Sequence, residues 1–346
     1  MQPARADAGD SRSLVPKIRF RPWLPVVVVL AASLAGAQSY KYFRLGKGDI
    51  ATRPVPGIAM MGGGRDLDEA FRWLCNNGNG GDFLILRARG DDDYNSYING
   101  LCKLNSVATL IIPDRVAAED PAVARIIDKA EVLFIAGGDQ ANYVRGWKGT
   151  GVEKAINEDL ARGTPIGGTS AGLAIEGEFV YAALGDKPDD KDLASVDVLT
   201  NPYFERVTLV RDFLKIPLLE NMITDSHFAR RDRMGRSLGF LARLIKDGWS
   251  SSPRAVAIDE KSAVLVEADG KATVVGTGKG AYFLEPTRAP EVSRGVPLTF
   301  RGIRVYRVGS GGRFDLSSWT GANGIAYLLS VEKGKIESTQ PDGTVY

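Results

Sequence analysis

Pro165-Ile166-Gly167-Gly168-Thr169-Ser170-Ala171-Gly172-Leu173-Ala174-Ile175 runs from a short apolar strand, through a glycine-bounded turn, into a segment able to begin a helix. Within it, Gly168-Thr169-Ser170-Ala171-Gly172 matches G-x-S-x-G. That pattern needs a sharp strand-to-helix turn that holds an exposed serine between small neighbours. A helix starting at Ala171 would aim its first N–H groups, Ala171 included, at an oxyanion forming beside the serine. The plainer reading of a Gly-Ser turn entering a helix is an N-cap.

Working outward, apolar runs of strand length recur at 57–61, 82–86, 107–112, 132–135 and 165–167. Between them lie residues at helical spacing, such as Leu67, Phe71 and Leu74, or Ala124, Ile127 and Ala130. Continuous apolar strands alternating with amphipathic helices imply α/β architecture, with a mostly parallel sheet covered on both faces. Ligands of such sheets bind beyond the carboxyl ends of the strands. Gly137-Gly138-Asp139-Gln140 follows one strand, where its backbone N–H groups could face an anion and Gln140 a substrate; a plain turn into a helix over 140–147 is the alternative. Gly62-Gly63-Gly64 follows another. It is no dinucleotide fingerprint, because Leu67 stands at the third glycine position, and it is read as a tight turn bordering the site.

A helix is expected over 233–245, with Met234, Leu238, Leu241 and Ile245 on one face. Short strands follow at 255–258, 263–267, 272–275, 281–284 and 298–305, and Asp269-Gly270 between two of them is a hairpin signal. These strands should extend or flank the main sheet as a C-terminal β-rich extension, without forming an independent domain. The segment 311–346 stays unassigned.

The chain of 346 residues has ordinary apolar content, 44%, and a formal charge of +2, which gives no reason to expect a nucleic-acid partner. Residues 1–37 hold five cations against two acids, so the remainder is close to neutral. Their order, a basic stretch ending at Arg21, an apolar run over 24–37 and small residues before Gln38, is that of a secretory signal peptide. The run is short for a bilayer span, which takes about 20 residues. Export by a cleaved signal, to the periplasm or medium and without stable membrane insertion, is the expectation; a disordered tail with a chance apolar patch and an uncleaved anchor are the alternatives. Cys75 and Cys102 are the only cysteines: an exported chain could pair them, or they could be two buried hydrophobes. With one histidine and two cysteines, no metal site is expected.

That histidine, His227, lies in Asp225-Ser226-His227-Phe228 and precedes Arg230, Arg231, Arg233 and Arg236. If Ser170 is a nucleophile, no other imidazole can serve as its base. Arginines beside it suit a carboxylate-bearing substrate; otherwise they form a solvated helix face. A catalytic histidine also needs an acid to fix its tautomer. Asp259 and Glu260, ending a strand, are both eligible by spacing.

In that order, Gly-Gly-Asp-Gln, Gly-Thr-Ser-Ala-Gly, Asp-x-His-Phe with arginines and Ile-Asp-Glu make the chain, over about 57–284, resemble the cyanophycinases. These are serine peptidases related to peptidase E. The resemblance implies a three-layer α/β/α, flavodoxin-like fold of the class I glutamine amidotransferase kind, with a peptidase domain over 38–310. It implies Ser170 as nucleophile, His227 as base and Glu260 as acid. Gly138 and Ala171 would hold the oxyanion, and Gln140, Asp225, Ser226, Arg231, Arg233 and Arg236 would bind substrate. The expected activity releases β-aspartyl-arginine dipeptides from cyanophycin through an acyl-enzyme, with no cofactor and in a homodimer. A dipeptidase acting on short aspartyl or isoaspartyl peptides, and a non-catalytic binding module on the same fold, are the alternatives. The order Ser, His, Glu differs from that of α/β-hydrolases. Two departures bear on specificity: Ser226 stands where the family commonly has Gln, and Asp232 where it often has a small residue.

Overall fold

The computed structural model describes residues 39–187 and 190–346. The segment 1–37, read from the sequence as a signal peptide, lies outside them. From Gln38 to Tyr346 the chain is one compact unit, with no break near residue 310.

The chain alternates at first. Strand β1 (Lys41–Gly46) and β2 (Gly57–Met61) lead to helix α1 (Asp68–Asn77), then β3 (Asp82–Arg87), α2 (Asp93–Leu101) and β4 (Ser106–Ile111). Helices α3 (Arg115–Ala118) and α4 (Pro121–Ile127) precede β5 (Val132–Ile135); α5 (Gln140–Trp147) and α6 (Gly151–Arg162) precede β6 (Ile166–Thr169) and the one-turn α7 (Ala171–Ala174). Short strands β7 (Phe179–Tyr181) and β8 (Leu209–Arg211) flank α8 (Ser195–Thr200), and β9 (Met222–Asp225) leads into α9 (Met234–Lys246). Strands then follow: β10 (Arg254–Ile258), β11 (Ser262–Glu267), β12 (Lys271–Gly276), β13 (Ala281–Pro286), β14 (Phe300–Asp315), β15 (Thr320–Glu332) and β16 (Lys335–Ser338), with a 3-10 turn at Pro341–Gly343.

Among the described residues, sixteen strands form one mixed sheet, in the order β1-β4-β3-β5-β6-β2-β11-β12-β14-β13-β10-β9-β7-β8, with β15 and β16 continuing from β14. The block β4-β3-β5-β6-β2 is parallel. Here alternate residues enter different cores. Ile58, Met60, Leu84, Leu86, Leu133 and Ile135 join one with Val123, Val144, Trp147 and Ile156 of α4–α6. Ala59, Met61, Phe83, Ile85, Val132 and Phe134 join another with Phe71 and Leu74 of α1 and Ile98 of α2. A period of two with both sides apolar is what a strand covered on both faces requires. Met222, Val256, Ile258 and Phe283 reach the first of these cores, while Ile223, Ala255, Ala257 and Tyr282 pack against Leu238 and Leu241 of α9.

Cys75 and Cys102 are joined in a disulfide that ties α1 to the end of α2. The hairpin at Asp269-Gly270 joins β11 to β12 antiparallel. The strand expected over 298–305 is the start of the sixteen-residue β14, and the unassigned segment continues it and adds β15 and β16. Its glycines do not end β14, since the register with β15 shifts across 308–313 and resumes. An irregularity of that kind absorbs extra residues without ending the pairing.

Candidate active site

Two pairs of neighbouring parallel strands deliver the site. In β2 and β6, Met61 lies opposite Thr169, so Gly62 and Ser170 leave the sheet side by side, and the Ser170 N–H donates to Met61 O at 3.2 Å. In β9 and β10, Asp225 lies opposite Ala257, so 226–227 and 259–260 emerge together. Both pairs open at carboxyl ends, where ligands of α/β sheets bind.

Ser170 sits at φ 53° and ψ −111°, outside the regions ordinary residues prefer. Such a conformation costs about 1–3 kcal/mol and persists only where neighbours impose it. Gly172 helps impose it, because a Cβ there would lie 2.1 Å from Ile135 O. The turn therefore packs hard against β5 and presents the serine.

Ser170 Oγ lies 2.7 Å from His227 Nε2, and His227 Nδ1 lies 2.7 Å from Glu260 Oε1. With Nδ1–H donating to the carboxylate, Nε2 is left as an acceptor for the serine proton. Spacing alone could not choose between the two acids; the geometry does. Asp259 turns away and accepts the Arg230 N–H at 2.8 Å. Burial lowers the His227 pKa, and the charges of Arg231 and Arg233 push the same way; the hydrogen bond that the ring donates to Glu260 opposes them without reversing the shift. Burial raises Glu260, but the bond and charge of His227, then Arg231 and Arg230, outweigh it and hold the carboxyl below its usual range. The group is ionised and the imidazole neutral at pH 7, as a base requires.

The Gly62-Gly63-Gly64 turn does border the site. Gly62 O accepts the His227 N–H at 2.7 Å, and a Cβ on Gly63 would lie 2.5 Å from His227 Cε1. Only glycine leaves room for the imidazole there.

Ser170 opens onto a cavity of about 500 Å³, lined also by Gly138, Gln140, Ala171, Tyr181, Asp192, Ser226, Arg231 and Arg233, with Arg89 and Arg145 on its wall. Asp139 caps α5 through the Ala141 N–H at 2.9 Å, and so positions Gln140 as the first residue of that helix. Asp225 and Arg236, expected on the wall, do not line the cavity. They form a buried pair at 2.5 Å and 2.9 Å, and Asp225 also takes the Ser237 hydroxyl at 2.9 Å. Burial raises Asp225, but Arg236 beside it brings the carboxyl below its usual range. This pair holds β9 to α9 behind the histidine.

Sequence reasoning missed Asp192. Its Oδ2 takes Nε and Nη2 of Arg233 at 2.9 Å and 2.6 Å, and it lies within 4 Å of Arg231 and Arg236. Burial pulls Arg233 down to about 10, so it stays charged at neutral pH. Arg231, with 45% of its side chain exposed, is the freest cation of the cluster. Among the described residues, no group of three or more His, Cys, Asp or Glu is placed to hold a metal ion.

Residues 91–207 match the model of peptidase family S51. The chain is 27% identical over 215 residues to a cyanophycinase of Trichormus variabilis, covering 61% of this chain and 65% of that protein. It is 23% identical over 264 residues to a cyanophycinase of Geminocystis herdmanii, covering 73% and 88%. The chain thus spans just under two thirds, 65%, of the length of the Trichormus relative. Among solved structures, a peptidase from an acI-B1 actinobacterium superposes with a TM-score of 0.48 at 16% identity, over 76% of this chain and 98% of that one. A putative peptidase E from Listeria monocytogenes gives 0.42 at 15%, over 65% and 100%. The chain is thus similar to cyanophycinases, and residues 91–207 are similar to peptidase family S51.

Proposed function

We propose that the chain is an exported serine exopeptidase that cleaves β-linked aspartyl peptides and releases β-aspartyl-arginine dipeptides from cyanophycin. The observation that carries this reading is the unbroken relay Ser170–His227–Glu260, with two contacts of 2.7 Å and the serine on the wall of a cavity rich in arginine. His227 Nε2 takes the Ser170 proton as Oγ attacks the substrate carbonyl. The Ala171 N–H and the Gly138 N–H hold the oxyanion, and the imidazolium protonates the leaving amine. Water then attacks the acyl-enzyme with His227 again as base. Gln140, Ser226, Arg231 and Arg233 meet the substrate, and Arg231 grips a carboxylate. Asp225 and Arg236 act from behind, by holding Ser226 and Arg233 in place.

In this reading the α/β part has the three-layer, flavodoxin-like arrangement of class I glutamine amidotransferases, extended by the C-terminal strands, and residues 1–37 direct export. The test is mass spectrometry of products after incubation with cyanophycin. Wild type should yield β-aspartyl-arginine, and Ser170→Ala should lose at least about a thousandfold in rate; near wild-type turnover by the variant would sink the assignment. A second reading, a dipeptidase on short β-aspartyl peptides, is favoured by the short Ser226 side chain on the wall and by Asp192 already engaging Arg233. Faster turnover of a β-aspartyl dipeptide than of polymer would select it.

A further inference from the structure

We infer that Tyr346 is a positioning residue for the active site: its hydroxyl braces the loop that carries His227, Arg231 and Arg233. The kinetic arm of its test rests on the peptidase reading above. Two residues of this loop, His227 at φ 47° and Asp232 at φ 50°, adopt the left-handed conformation that non-glycine residues avoid. Such a conformation persists only where contacts impose it. At the histidine end, Gly62 O holds the His227 N–H. At the far end the constraint comes from 112–114 residues away. The Tyr346 hydroxyl donates to Asp232 Oδ1 at 3.0 Å and accepts the Met234 N–H at 2.8 Å.

The second bond answers a need. Helix α9 begins at Met234, and Arg233 before it offers no side-chain cap, so the first N–H of the helix would otherwise lack a partner. Between the two ends, the Tyr346 ring packs edge-on against Phe228 at 5.8 Å and against Tyr282 at 5.8 Å, so the residue next to His227 is wedged as well. Tyr346 is itself anchored, since the Tyr327 hydroxyl of β15 donates to Val345 O at 2.9 Å. On the other side, the Ser195 hydroxyl donates to Asp232 O. Asp232, a departure in the sequence, is thus the acceptor of a brace and no free charge among the arginines. Because it lies between Arg231 and Arg233, losing the brace disturbs the cations that meet substrate more than the Ser170–His227 contact.

The test compares Tyr346→Phe, which keeps the ring and removes both hydrogen bonds, with Asp232→Asn, which keeps an oxygen able to accept. Amide hydrogen exchange over 227–234 should speed up about tenfold in Tyr346→Phe, while amides of β2 and β6 keep wild-type rates. Asp232→Asn should stay near wild type. With a β-aspartyl peptide, Tyr346→Phe should raise KM about fivefold and leave kcat within about twofold. Unchanged exchange over 227–234, or acceleration that includes β2 and β6, overturns the inference. An inactive wild type would count against the peptidase reading alone, because the exchange measurement needs no turnover.

Discussion

His227 has charges on both sides, and each can be removed separately. Its pKa lies below the ordinary imidazole value mainly through burial, with Arg231 adding to the depression and Glu260 opposing it. In the proposed mechanism the base is the neutral imidazole, so the acid limb of kcat/KM should fall below about pH 6.5. Arg231→Gln removes a depressing charge, so the limb should move up in pH. Glu260→Gln removes the raising charge and weakens the bond, so the limb should move down, while kcat drops about a hundredfold or more because no carboxylate stabilises the imidazolium. Shifts of the same sign in both variants would contradict this arrangement. At this scale the sequence was readable where function is local. Ser170 and His227 stand in compact motifs, and the lone imidazole left no choice of base. Asp192 and Tyr346 were illegible because each meets its partners 39 to 114 residues away, through folds of the chain that no spacing encodes.

Helix α7 is one turn long, and the residue two places beyond it creates an unusual energetic situation. Glu176 is fully buried, and neither carboxylate oxygen has a partner. Burial pushes its pKa well above the ordinary value of 4.5. A group raised in the fold stabilises fully below its unfolded pKa, and that contribution is lost as pH rises toward the folded one. The wild type should therefore lose stability as pH rises above about 4.5 on account of this carboxyl. Glu176→Met should raise the melting temperature at pH 8, by roughly 1 kcal/mol or more in stability, with the gain shrinking toward pH 4. A gain equal at both pH values would show that ionisation is not involved. Elements with a doubly apolar pattern, such as β2, β5 and β6, are legible because both faces must be buried. Strand β1, Lys41–Gly46, is exposed throughout, and β7 and β8 have three residues each. Neither a hydrophobic alternation nor sufficient length marks them; pairing with an existing edge does.

At the scale of the whole molecule, the disulfide closes a loop of 27 residues in sequence separation. Restricting the unfolded chain in this way contributes about 3–4 kcal/mol on the loop-entropy account. Reduction, or Cys75→Ser with Cys102→Ser, should lower the melting temperature by several degrees without changing kcat, since the bond lies on α1 and α2 and touches no member of the relay; an unchanged melting temperature would contradict it. Strand order has a further consequence, in time. Strand β2 lies between β6 and β11, so the residues that cradle His227 wait for one neighbour until residue 169 and for the other until residue 267. Ser170 and His227 leave the ribosome well before Glu260. A growing chain thus carries Ser170 and His227 without Glu260, and pairings of such long range are slow to form. In the proposed mechanism the order of synthesis leaves the relay incomplete until β11 has been made.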